Sequence, residues 1–96
     1  MTHTIDYQSG GIVSKQLIKT PTGNVTLFAF DAGQGLSEHT SPFDALVTVI
    51  EGEADVTIAG VAHTVKTGEL LQLPAHIPHG VHAPSRFKMT LTMLRS

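Results

Sequence analysis

Between Asn24 and Asp31 the chain reads NVTLFAFD, setting Val25, Leu27 and Ala29 against Thr26, Phe28 and Phe30. A period of two predicts a strand, and apolar residues at both parities predict one that is covered on both faces. The alternation returns from Arg86 to Leu94, where Phe87, Met89, Leu91 and Met93 share one face and Lys88, Thr90 and Thr92 the other. Further strands are predicted at Ile12 to Lys19, Leu36 to Phe43, Leu46 to Glu51, Asp55 to Ala59 and Val61 to Lys66. Glycine and proline separate them, at Pro21 to Gly23, Gly33, Gly35, Pro42, Gly52, Gly60 and Gly68. Gly52 reads as the tight turn of a hairpin joining its two neighbours. No apolar set recurs at helical spacing over a helical length. The prediction is an all-β domain, an antiparallel barrel built from two packed sheets.

The stretch Gly68 to Ala83, GELLQLPAHIPHGVHA, departs from simple alternation. Leu70, Leu71 and Leu73 end at Pro74, Pro78 follows, and histidines stand at positions 76, 79 and 82. Proline cannot donate to a sheet ladder, so the two prolines predict a stiff bend between strands. Such a bend holds His79 at the start of the next strand, near the mouth of whatever the strands enclose. Imidazole is the commonest side-chain metal ligand and titrates near neutrality. His79 is therefore the leading candidate for site chemistry.

Composition narrows the classes. Six histidines in 96 residues are unusual, and four of them fall between Ala62 and Ala83. With no cysteine there is no disulfide framework and no thiolate ligand or nucleophile. A net charge of -2 argues against a nucleic-acid partner. No apolar run reaches the ~18 residues of a membrane-spanning helix. The opening MTHTIDYQSGG lacks the basic-then-apolar order of a signal peptide, so a cytoplasmic protein is expected. Residues 1–10 read as a polar leader and 11–96 as one barrel domain. The strand at Ile12 to Lys19 carries Ile12, Val13, Leu17 and Ile18, too apolar for a free sheet edge, so a homodimer is expected.

Two spacings carry a family resemblance. Gly33, His39 and Gly52 match a motif of glycine, five residues, His-x-His, three or four residues, glutamate, six residues and glycine. Gly68, Pro74 and His79 match a second motif of glycine, five residues, Pro-x-Gly, two residues, histidine, three residues and asparagine. The chain thus resembles the cupins, small barrels related to jelly rolls, from about Asn24 to Leu94. The resemblance implies a cupin-type β-barrel with His39 and His79 facing each other inside. It also implies a divalent transition metal (Zn, Mn, Fe or Ni) held by both motif-one histidines, the glutamate and the motif-two histidine. Here Ser41 stands for the second histidine, Ala45 for the glutamate, His76 for the second motif's glycine and Ala83 for its asparagine.

The candidate metal ligands are His39, His79 and Asp44. Asp44 sits one position before the lost glutamate, where the chain is still turning after Pro42, and reads as a replacement carboxylate or as a solvated loop acid. Ser41 shares strand parity with His39 and is read as a polar pocket residue. Phe43 and Met89 are candidates to line a ligand pocket, most other aromatic and methionine side chains being expected in the core. His76 lies in the bend, where its direction is not readable. His63 is expected to be partly buried, and His82, at opposite parity to Val81, to face out. Three functions compete: a barrel binding a small molecule with a degenerate metal site, a metal-dependent oxygenase or isomerase, and an assembly module with no small-molecule site.

Overall fold

The computed structural model describes residues 2–95 and contains nine strands and no helix among them. In chain order they are β1 (Ile12–Thr20), β2 (Gly23–Phe30), β3 (Gly35–His39), β4 (Asp44–Glu51), β5 (Glu53–Ile58), β6 (Val61–Lys66), β7 (Leu70–Leu73), β8 (His79–His82) and β9 (Phe87–Leu94). One sheet runs β1-β2-β9-β4-β7 and the other β3-β8-β5-β6, with every pairing antiparallel. No described helix is long and apolar enough to cross a membrane.

The core follows from the period-two pattern. Ala45, Val47 and Val49 of β4 are buried and stand opposite Met93, Leu91 and Met89 of β9, while Phe28 and Phe30 of β2 stand opposite Met89 and Phe87. From the second sheet, Ala54, Val56, Val65 and Val81 complete the same cluster. Each fully buried side chain of this size contributes about 1.5–3 kcal/mol. The domain's order therefore rests on these inward residues rather than on its outer faces.

Chain connectivity defines two ends. The short links 39–44 and 73–79 put the ends of β3 and β7 and the starts of β4 and β8 at one end. The register Asp44↔Leu94 and Gly23↔Leu94 adds the end of β9 and the start of β2 to it. At the opposite end Phe30 and Phe87 pair directly, both fully buried, with rings stacked at 4.6 Å and 9°. That aromatic pair closes one end of the barrel, and the histidines stand at the other.

Two expectations need correction. Gly52 does not form a hairpin: β4 and β5 belong to different sheets, and Gly52, at φ 79°, turns the corner between them. The true hairpin is β5–β6, whose two-residue turn Ala59-Gly60 has positive φ at both positions, the twist a tight hairpin requires. His63 is exposed, because β6 is an edge strand and only Val65 on it reaches the core.

Residues 2–10 form no strand, yet they pack as a strap over the outer face of β1 and β2. Ile5 is buried against Leu27 and Ala29, with Tyr7, Val13 and Leu17 around them. This second cluster explains why both parities of β2 are apolar. The Tyr7 hydroxyl donates to the Glu51 carboxylate, and Arg86 and Lys88 lie 5.3 and 5.0 Å from the centre of its ring. Burial first, then the bond to Glu51, pushes the Tyr7 pKa up to about 12.

Asp31 ties the strap down at its other end. Its carboxylate accepts from Gly10 N at 2.7 Å and from Arg86 Nε at 2.8 Å. The Gly10 amide, then Arg86, lowers its pKa from 3.8 to about 2. A depressed carboxylate stabilises the fold above its unfolded pKa, and that contribution is lost as pH falls through the folded value. Asp31→Asn should therefore melt below the natural protein by a constant margin above about pH 5, narrowing toward pH 2. Melting curves across that range test it; an undiminished margin at pH 2 would show that the charge is not the source.

Candidate functional site

The proline bend between β7 and β8 is fastened on both sides. Asp44 Oδ1 accepts from Ala75 N at 2.9 Å, Ser41 O from His76 N at 2.8 Å, and Pro78 O from Ala59 N at 2.8 Å. His76 takes a left-handed φ of 65°, which sharpens the bend, and its ring is exposed. The chain emerges from Pro78 with His79 as the first residue of β8, opposite Ile58 of β5. His79 is 7% exposed, the one buried polar side chain among the described residues.

His39 reaches the same place by a different device. Leu36 pairs with Val81, and two further residues along β8 regular pairing would bring Glu38 opposite His79. A β-bulge at residues 37 and 38 shifts the register, so His39 pairs with His79 instead. The extra residue sits over Gly80, where a Cβ would lie 3.3 Å from Glu38 N and Leu36 O and 3.1 Å from Thr57 Oγ1. Glycine at 80 is what lets the bulge close down. The two imidazole rings stand 4.5 Å apart, centre to centre, at 65°.

Both rings are oriented alike by their own strands. His39 Nδ1 lies 2.8 Å from Ser37 O, and His79 Nδ1 lies 3.3 Å from Ile77 O. A carbonyl oxygen only accepts, so each Nδ1 carries the proton, and in the neutral ring Nε2 keeps its lone pair. Among the described residues neither Nε2 has a protein hydrogen-bond partner, and no buried side-chain polar atom is left unsatisfied. Burial lowers the His79 pKa; the Ile77 carbonyl opposes this, and the neighbouring His39 adds to the depression. The arrangement offers two neighbouring lone pairs, suited to a metal cation or to hydroxyl and amide donors.

The other candidates divide. Ser41 lies past the end of β3, half-buried, with Oγ accepting from Phe43 N at 3.2 Å. Phe43 is half-buried at the rim. Asp44 is held by the Ala75 amide and borders an outer groove of about 220 Å³ with Leu46, Gln72, Thr92 and Leu94. It does not join the histidines: no group of three His, Cys, Asp or Glu able to hold a metal exists among the described residues. Met89 is 1% exposed in the core, opposite Val49, so its thioether fills the barrel; Met93, opposite Ala45, is the methionine nearer the histidine end. His82 is exposed and Val81 buried.

One rim residue escaped the sequence reading. Arg95 continues the inward parity of Phe87, Met89, Leu91 and Met93 just past the end of β9. Its backbone N–H donates to Thr22 O at 2.8 Å, and its guanidinium carbon lies 5.2 Å from the centre of the Phe43 ring. The signal was the same i, i+2 arithmetic carried one step further.

Comparison with known proteins agrees with this architecture. A family profile described as the cupin domain matches residues 26–94. No curated protein matches the chain. Among solved structures, a cupin 2 conserved barrel domain protein from Leptotrichia buccalis is 42% identical, with a TM-score of 0.92 over 95% of this chain and 44% of that one. This chain thus corresponds to less than half of that protein. A conserved protein of unknown function from Streptococcus pyogenes is 32% identical, with a TM-score of 0.88 over 93% of this chain and 78% of the other. A cupin superfamily protein from Desulfitobacterium hafniense is 27% identical, with a TM-score of 0.92 over 96% and 84%. The two-sheet barrel, both motif spacings and the matched profile together make this chain a member of the cupin family.

Proposed function

We propose that the barrel binds a small molecule at its histidine end, with His39 and His79 as the contacting groups. The observation that carries this reading is the matched pair of rings, each with Nδ1 held by a backbone carbonyl and Nε2 left without a protein partner. No buried polar atom among the described residues is left unsatisfied and His39 is exposed, so these nitrogens are met by solvent and are open to a bound group. The reading is one of binding, since function lives in the site and not in the barrel.

A tightly held resident metal fits this donor set poorly. Catalytic zinc sites use three protein ligands and structural ones four. Here the carboxylate position is Ala45, the second histidine position is Ser41, and Asp44 is occupied elsewhere. Two imidazoles supply roughly half of the ~10–16 kcal/mol of a full zinc site. That corresponds to dissociation constants between about a few hundred micromolar and about one micromolar. Protein purified without chelator should carry substoichiometric metal and lose it to dialysis. Ser41→His with Ala45→Glu should restore near-stoichiometric binding. Elemental analysis of both proteins after identical dialysis tests this. One metal per chain in the natural protein would instead favour a metal-dependent enzyme, and no metal in either would mean that the two histidines do not act together.

A further inference from the structure

We infer that the ligand of this mouth is a small hydroxy acid, its carboxylate held by Arg95 and its hydroxyl by His79. The inference rests on the binding reading above and adds the class of ligand. It starts from where Arg95 lies. The last turn of the inward pattern on β9 places it at the end of the barrel that carries His39 and His79, and the Thr22 carbonyl fixes its backbone there.

The guanidinium is presented rather than consumed. The other cations at the strap are engaged, Arg86 with Asp31 at 2.8 Å and Lys88 with Glu51 at 3.6 Å. Arg95 has no ion-pair partner among the described residues, and the nearby rim acid, Asp44, accepts from the Ala75 amide. Phe43 lies under the guanidinium. Stacking on an aromatic face restrains the group while leaving its in-plane N–H donors free, the geometry that receives a carboxylate through two parallel bonds. Arg95 thus brings a permanent positive charge to this rim, although the chain as a whole carries a net charge of -2.

The rest of the mouth selects what accompanies the carboxylate. His79 Nε2, with its tautomer set by Ile77 O, accepts a hydrogen bond and so matches a hydroxyl. Between Arg95 and the histidines the inward positions are Met93 and Ala45. Both are apolar side chains packed on the core. The fitting ligand is thus acidic at one end, hydroxylated at the other and apolar between.

The test uses the labelled 96-residue chain, with the ring signals of His39 and His79 followed by NMR. Lactate, mandelate and 3-hydroxybenzoate are titrated, each beside its neutral primary amide. At least one acid should shift both rings saturably, with a dissociation constant about tenfold or more below that of its amide. Arg95→Gln should bring the acid to the level of the amide with an unchanged melting temperature, and Arg95→Lys should keep part of the preference. Acids and amides binding equally would overturn anion selection while leaving the binding reading intact. A preference that survives Arg95→Gln would remove Arg95 as the selector. If neither acids nor amides move the rings, the binding reading falls and this inference with it.

Discussion

Phe87→Ala should cost about 3–5 kcal/mol, a large part of what a domain of this size has. The ring is fully buried, stands opposite Phe30 in the strand register and stacks on it at 4.6 Å. Truncation removes the buried ring, abolishes a stacking contact and leaves a void in the closed end that Phe30 and Met89 can only partly fill. For a chain of about a hundred residues the melting temperature should fall by roughly 12–40 °C. Thermal unfolding followed by circular dichroism reads this directly. A drop of only a few degrees would mean that the closed end collapses around the gap and that the aromatic stack is not what holds it.

Gly52→Ala should be of similar severity, for reasons of backbone rather than burial. The residue takes φ 79°, and a Cβ there would lie 2.5 Å from Arg86 O and 3.0 Å from Phe87 Cβ. The left-handed conformation alone costs a β-carbon about 1–2 kcal/mol. The clash is with a carbonyl of the chain leading into β9, which has no rotamer to change, so the loop must move and Phe87 with it. A total loss of roughly 3–5 kcal/mol follows, at the upper end for single substitutions. Gly60→Ala makes the informative control, since φ there is also 79° but nothing lies within 4 Å of the added carbon. Equal losses in chemical denaturation of the two variants would show that φ alone matters and that the corner is not tightly packed.

Much of this architecture was legible in the residues. Alternation located the strands and their inward faces, and motif spacing located His39 and His79. What was not legible depends on which strands become neighbours. A glycine between two β-rich runs makes a hairpin or a corner according to the sheets its flanks join, and Gly52 looks the same in both cases. His63 shares parity with Val65, but lies exposed because β6 ends its sheet. Met89 and Met93 have identical parity and differ only in depth along the barrel, which register sets and composition does not. Ile5 lay in a stretch read as polar, and its burial depends on the outer face of β2 needing a cover.

The bulge in β3 has a further consequence for how this site varies. A regular β3 would set Glu38 opposite His79, and the bulged one sets His39 there, exposed at the mouth. The strand therefore carries two adjacent donors of different charge type, and backbone register chooses between them. Side-chain addition at Gly80 would crowd the bulge, with a Cβ 3.3 Å from Glu38 N and Leu36 O. Among descendants of such a sequence, a one-step slip would exchange an imidazole for a carboxylate at the mouth while His39, Glu38 and His79 all remained unchanged. Chemistry in this barrel can diverge by editing the backbone's counting instead of its vocabulary.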